Sequence, residues 1–325
     1  METVRAGDGA ELRAAGFRHE ALFYAGPARF VEGAARFVRE SLAADEPIMV
    51  AVLAGKAELL REELGADAGR VSFVDMGTVG RNPARIIPMW QSWVDRHAPA
   101  GRRVRGIGEP IWAGRTPAEI VECEQHEALI NTAFDDGPPW WLLCPYDTSC
   151  LDRGVIERAC QTHPWLLHGR ESRASLSYPH PRLSPPAMLA DPLPEPEAAA
   201  AQFAFTLDEL AEVRRAVADH AGRVGLSAAR AEELVLAVSE LAANSVVHGG
   251  GTGVLRLWSD GRVLTCEVRD RGLIRDPLVG RRRPPVTAAG GAGLWMTNQL
   301  CDLVQIRSTP AAGTTVRAHV VLAAA

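Results

Sequence analysis

A chain of 325 residues with 47% hydrophobic and 23% charged residues has an ordinary globular composition, with material for two domains and a core in each. Its formal net charge of −5 argues against a general nucleic-acid binder, although it leaves room for a local basic patch. The opening METVRAGDGAELRAAG lacks the apolar stretch of a signal peptide, and no run of about 18 apolar residues follows, so a cytoplasmic protein without a membrane span is expected.

The first half alternates strand-like and helix-like segments. Helical patterns cover 28–44 and 56–65, around buried strands at 46–54 and 69–76. A further helix is expected over 82–98, a strand over 102–110, a helix over 116–134 and a strand over WWLLCPYD, 140–147. That alternation predicts an α/β domain with a parallel sheet covered on both faces. The prolines between Ser172 and Gln202 forbid a regular helix or a central strand, so this stretch reads as a stiff, partly extended linker.

Beyond it the order changes. Thr206 and Glu209 have capping-box spacing at the start of a helical pattern over 206–225, and a second helix runs from about 227 to 247. Two strands around Asp260-Gly261 give a hairpin over 252–270. A glycine-rich entry into a short helix, 290–301, and two closing strands complete an α+β sandwich.

Inside the second of these helices, in ELAANSVVHGGGTG, Glu240, Asn244 and His248 recur every fourth residue. At about 100° per residue they drift only about 40° per step, so all three share one side of an otherwise apolar helix. Asparagine is a poor mid-helix residue, and a solvated face is the plain reading of one such residue. Three in register, followed by glycines, call for something more. Downstream come Asp270-Arg271-Gly272 at a strand end, Gly290-Gly291-Ala292-Gly293-Leu294 entering a helix, and Gly313-Thr314-Thr315 entering the last strand.

In that order and spacing, residues 200–325 resemble the GHKL ATP-binding fold, the Bergerat-type sandwich, and among its members the anti-sigma-factor serine kinases. The resemblance implies ATP and Mg²⁺ as ligands. It makes Asn244 the Mg²⁺ ligand, an amide oxygen suited to a hard cation. It makes Glu240 the base that orients and deprotonates an attacking hydroxyl. Asp270 would accept from the adenine amino group, with Gly272 leaving room for the ring. Gly291, Gly293 and Leu294 would form the phosphate loop at a helix N-terminus, Thr314 or Thr315 would support the adenine end, and His248 would stand near the nucleotide. Residues 276–291 occupy the place of the family's ATP lid, where Arg281, Arg282 and Arg283 either reach phosphate or an acidic partner or form a solvated charge cluster.

The first half gives less. Gly55-Lys56 follows a strand, as a P-loop lysine would, but the glycine-rich span and the Ser/Thr after Lys are missing. Arg105, Glu109, Trp112, Arg115, Glu124, His126, Glu127 and Asn131 are candidates either for a ligand pocket at strand ends or for ion pairs that pin loops. Glu122 and His126 stand at i, i+4, a surface pair in the absence of further ligands at metal spacing. The six cysteines, Cys123, Cys144, Cys150, Cys160, Cys266 and Cys301, form no CxxC pair and read as reduced thiols. HEALFY, RNPARIIPMW, GEPIWAGR, HEALIN and LLCPYD, within 17–170, are similar to the MEDS-type sensory domain, a divergent RecA-like module.

The two resemblances together imply three segments: a sensory domain over 10–171, the linker over 172–202 and an ATP-binding kinase domain over 203–325. They imply a regulator whose partners are a STAS-type anti-anti-sigma protein, a sigma factor and an unnamed ligand of the first domain. Neither nucleic acid nor a membrane is among them, and a homodimer is left open. The alternative is a module that binds ATP or a partner without transferring phosphate.

Overall fold

The computed structural model describes residues 16–178, 189–196, 200–284 and 291–322. The chain divides into two compact units, Met1–Gly80 with Met89–Pro181 and Arg81–Pro88 with Arg182–Ala325.

In the first unit β1 (Phe17–Tyr24), α1 (Pro27–Ala43), β2 (Ile48–Val52), α2 (Ala54–Leu64), β3 (Ser72–Asp75) and the single turn α3 (Met76–Val79) lead to α4 (Ile86–His97). The chain continues through β4 (Val104–Gly108), α5 (Pro117–Ala133), β5 (Trp140–Asp147), α6 (Arg153–Thr162), β6 (Trp165–His168) and β7 (Glu171–Ala174). The sheet order is β3-β2-β4-β5-β1-β6-β7, parallel throughout except for the antiparallel β6–β7 edge. The parallel α/β expectation therefore holds, with three strands beyond the four expected: β1 inside the sheet and β6 and β7 at one edge. FRHEALFY forms β1, between β5 and β6, although Arg18, His19 and Glu20 break its apolar pattern. The charges are accommodated locally. Arg18 lies over Trp141 and Trp165, and Trp141 Nε1 donates to Glu20 at 3.0 Å.

Propensity and burial agree for the flanking helices. α1 opens with Pro27 at its first turn and buries Phe30, Ala34, Phe37 and Val38 on one stripe. Each large apolar side chain removed from water contributes roughly 1.5–3 kcal/mol. α5 starts with a complete Thr116–Glu119 capping box. The helix expected over 82–98 begins later, because Asn82 caps a 3-10 turn at Pro83–Arg85 and α-helix starts at Ile86. Gly106 is in a buried strand for lack of space: a Cβ there would lie 2.5 Å from the Trp90 ring.

The second unit contains β8 (Ala201–Phe205), α7 (Leu210–Arg223), α8 (Ala228–His248), β9 (Gly253–Ser259), β10 (Val263–Asp270), α9 (Ala292–Leu300), β11 (Leu303–Thr309) and β12 (Gly313–Val321). Its sheet, β11-β12-β10-β9-β8, is antiparallel throughout, giving the expected α+β layers. The core joins Val213 and Val217 of α7, Leu234, Val238 and Leu241 of α8, and Leu255, Val268 and Val316 of the sheet. Thr206 and Glu209 do bond to each other, but as a turn before α7, which starts at Leu210.

The proline-rich stretch is less free than a spacer. Its proline-free ends join edge strands, 172–174 in β7 and 201–202 in β8. Leu189 is buried in the second core, and Glu195 pairs with Arg256 and Arg269 at 2.8 and 2.9 Å. Residues 179–188 and 197–199 of it lie outside the described residues. Within the second unit, Arg85 donates to the carbonyls of Asn298 and Cys301 at 2.8 and 2.7 Å, satisfying the C-terminal end of α9. Among the described residues no helix is long and apolar enough to cross a membrane.

Candidate functional site

The site grows from α8. Ser227 caps it by accepting from Arg230 N, and Leu234, Ala237, Val238, Leu241, Ala242 and Ser245 are its buried stripe. Beside that stripe, Glu240 and Asn244 are half-buried and His248 is exposed. Helix and sheet are tied where they meet: Arg271 N donates to Gly249 O at 3.1 Å, beside Asp270 at the end of β10.

Asp270 is held from two sides. Ser245 Oγ donates to its Oδ2 at 2.6 Å and Gly272 N to its Oδ1 at 2.7 Å. Thr314 Oγ1 donates to Gly272 O at 2.9 Å, Thr314 and Ser308 share a hydroxyl contact of 2.8 Å, and Ser308 Oγ accepts from Ile274 N at 2.9 Å. A carboxylate oxygen has two lone pairs, so each oxygen of Asp270 keeps capacity for a further donor. A side chain at Gly272 would meet the His248 carbonyl at 2.8 Å, which is why the chain passes there without a Cβ.

These groups border a cavity of about 360 Å³. Asn244, His248, Asp270, Gly272, Gly291, Gly293, Leu294 and Thr314 line it, with Leu241, Ile274, Val279 and Val316 as apolar wall. An apolar pocket with a few convergent polar groups is the usual form of a small-molecule site. Gly291 precedes α9 in a left-handed conformation, φ 84°. A Cβ on Gly293 would approach Glu240 Oε2 to 2.9 Å and Asn244 Nδ2 to 3.0 Å. That cradle fits a phosphate-bearing ligand with a hard cation beside Asn244, because backbone N–H groups and an amide are the donor and acceptor types these take.

Two expected residues stand apart. Glu240 touches the Gly293 side of the cradle without lining the cavity. Thr315 faces away, since Thr314 and Val316 line the cavity and side chains alternate along β12. Arg281 is buried while Arg282 and Arg283 are exposed, and none of the three lines the cavity. Residues 285–290 of the expected lid, Gly290 included, lie outside the described residues. Ser245 was missed by sequence reasoning. Its one signal is a hydroxyl on the buried stripe of an apolar helix.

Comparison with known families gives two matches. Residues 18–164 match the family described as MEDS, "MEthanogen/methylotroph, DcmR Sensory domain", and residues 203–320 match the histidine kinase-like ATPase domain. The chain joins a MEDS domain to a histidine kinase-like ATPase domain. No curated protein matches it. Among solved structures it is similar to the RsbU and RsbW domains of Rv1364c from Mycobacterium tuberculosis, at 21% identity over 37% of this chain and 32% of that chain, with a TM-score of 0.28. That match spans about a third of the solved chain.

In the MEDS domain the sequence candidates fall into separate bonded groups. Lys56 pairs with buried Glu109 and donates to Tyr24 Oη at 2.6 Å, so the lysine after β2 is engaged in an ion pair. Burial pushes the Glu109 carboxyl up, against the pull of Lys56. Arg115 stacks on Trp112 and donates to Pro110 O and Gly80 O, both at 2.6 Å. Arg105 pairs with Glu46 at 2.5 Å and lies over Trp141, and Glu124 pairs with Arg158. Glu122 and His126, expected as a surface pair, are both buried on α5. Glu127 and Asn131 instead join a buried group with His19. Burial pushes the Cys123 thiol up to about 12, as in an inert core thiol.

Proposed function

We propose that the chain is a cytoplasmic regulator in which the ATPase domain, a Bergerat-type GHKL sandwich over 203–325, binds Mg-ATP. In this reading it phosphorylates a Ser or Thr of a STAS-type anti-anti-sigma partner, sequesters a sigma factor, or does both. The MEDS domain over 10–171, RecA-like in architecture, receives a ligand and controls that activity through the segment 172–202.

The observation that carries the reading is the convergence of Asn244, Asp270, Gly272, Gly293 and Thr314 on one cavity. Asp270, oriented by Ser245 and Gly272, would accept from an exocyclic amino group, and Ile274, Val279 and Val316 would surround an aromatic ring. Asn244 would hold the cation, which when bound neutralises phosphate charge. Gly291 and Gly293 leave backbone N–H groups at the start of α9 free of side-chain bulk. Glu240, one turn before Asn244, would take the proton of the attacking hydroxyl.

A specific observation supports the alternative of a non-catalytic ATP-binding or partner-sequestering module: Glu240 does not line the cavity. Calorimetric titration of Mg-ATP into the full chain tests the common part. Binding should weaken at least about tenfold in Asn244→Ala, a loss of about 1.4 kcal/mol; equal affinity sinks the assignment. Transfer from γ-labelled ATP to a STAS protein then separates the two readings. The kinase reading expects Glu240→Gln to keep ATP binding and lose transfer, whereas ATP binding with no transfer by the wild type selects the module.

A further inference from the structure

A second cluster lies inside the MEDS domain. His19 of β1, Cys144 of β5, Glu127 of α5 and His163, the residue after α6, bring four ligand atoms within 4.8 Å of one another. All four residues are buried. His19 Nε2 lies 2.9 Å and His163 Nε2 3.3 Å from Glu127 Oε2. Cys144 Sγ lies 3.3 Å from His19 Nε2 and 3.8 Å from Glu127 Oε2. A tetrahedron of nitrogen, oxygen and sulfur ligands around a metal has edges of about 3.3–3.8 Å, from bond lengths of about 2.0–2.3 Å.

The surrounding hydrogen bonds fix the free lone pairs. Asn131 Nδ2 donates to Glu127 O at 3.1 Å and Thr162 O at 2.9 Å, so its Oδ1 faces His19 Nδ1, at 3.1 Å. His163 Nδ1 faces Ala159 O at 2.9 Å. Both Nδ1 atoms are therefore the N–H donors, which leaves both neutral rings with bare Nε2 lone pairs within 3.3 Å of one carboxylate oxygen. Tyr146 Oη donates to the other oxygen, Glu127 Oε1, at 3.1 Å.

One added proton does not resolve this, and a second leaves the buried group with a net positive charge. A hydrogen on His163 Nε2 and the Cys144 S–H still leave His19 Nε2 and Glu127 Oε2 as acceptors facing each other at 2.9 Å. A proton on His19 instead leaves His163 Nε2 bare at 3.3 Å from the same oxygen. A divalent cation satisfies every lone pair at once. With one thiolate and one carboxylate it also makes the buried site electrically neutral, which removes the cost of an uncompensated interior charge.

We propose that His19 Nε2, Glu127 Oε2, Cys144 Sγ and His163 Nε2 are the four ligands of a buried divalent transition-metal site, zinc by its mixture of imidazole, thiolate and carboxylate. Binding displaces the Cys144 thiol proton to solvent and leaves the sulfur as thiolate. Asn131, the Ala159 carbonyl and Tyr146 orient the ligands, as outer-shell partners of metal-bound histidine and carboxylate do. Four protein ligands close the site, so the metal is structural. It ties α5 to β1, β5 and the end of α6.

The test uses the full chain, produced in zinc- or cobalt-supplemented medium and purified under reducing conditions without chelator. Metal content by mass spectrometry should be about one equivalent per chain. The cobalt form should show tetrahedral visible bands and a thiolate-to-cobalt charge-transfer band. Cys144→Ser should lose the charge-transfer band and His163→Gln should weaken binding at least about tenfold. Cys150→Ser, at an exposed cysteine, should change neither. Folded wild type that carries no stoichiometric metal overturns the proposal. So does a metal retained unchanged in both ligand variants. If those variants do not fold, the wild-type content and charge-transfer band decide alone.

Discussion

The two domains treat buried polarity in opposite ways. In the MEDS domain His19, Glu127, Cys144 and His163 are enclosed and face one another. In the ATPase domain Asn244, Asp270 and Thr314 face a cavity and keep hydrogen-bonding capacity for something that enters. Polar side chains thus support a stapled interior in one place and a receptive surface in the other. Substitutions in the first should be read out as stability, and in the second as affinity.

The largest effect that would sharpen this contrast is expected from Glu127→Gln. It removes the charge that His19 and His163 surround, and the MEDS domain should lose about 3–5 kcal/mol in urea unfolding followed by tryptophan fluorescence. A loss below about 1 kcal/mol, the range of a surface pair, would break the contrast. Next comes Gly272→Ala, whose Cβ would meet the His248 backbone at 2.8 Å. Nucleotide affinity should fall at least about tenfold, with a stability loss of about 1–3 kcal/mol because the obstacle is main chain. Gly293→Ala should separate the two readouts. Its nearest obstacles are the movable ends of Glu240 and Asn244, so binding should drop by a similar factor while the melting temperature barely moves.

Ser245→Ala is expected to cost about 1–2 kcal/mol and to weaken ATP binding modestly, by freeing Asp270 Oδ2. An unchanged affinity would mean that Gly272 alone fixes the carboxylate. The last effect concerns pH. Burial, then Arg317, lower the His319 imidazole of the ATPase domain to about 4. The unfolded chain binds that proton near pH 6.5, so the contribution is complete above about 6.5 and is lost as pH falls toward about 4. The slope should be at most about 1.4 kcal/mol per pH unit. Thermal melts of His319→Gln should be flatter than wild type in that window, and parallel curves would assign the slope elsewhere.

Much of the architecture was legible because burial periodicity is local. WWLLCPYD is β5 over the expected residues, and the helix expected from about 227 to 247 is α8 at Ala228–His248. FRHEALFY was not, because its charges look exposed until Trp141 and Trp165 cover Arg18. In the ATPase domain, the four-residue recurrence of Glu240, Asn244 and His248 could be read directly, since helical spacing is fixed by the backbone. Which of Thr314 and Thr315 faces the cavity could not, because register decides it and register depends on strands far away in sequence.

What the sequence by itself determined is therefore the alternation of helices and parallel strands over 28–147, the α+β class of the second domain, and the row of polar residues on α8. Only the tertiary structure decided that Ser245 orients Asp270 across 25 positions, and that Glu240 stands behind Gly293. It alone gathered His19, Glu127, Cys144 and His163 from two strands, a helix and a loop. The physical reason is that secondary structure follows from neighbours a few residues apart, whereas a site is made by packing. Packing brings together groups whose separation along the chain carries no trace of their distance in space.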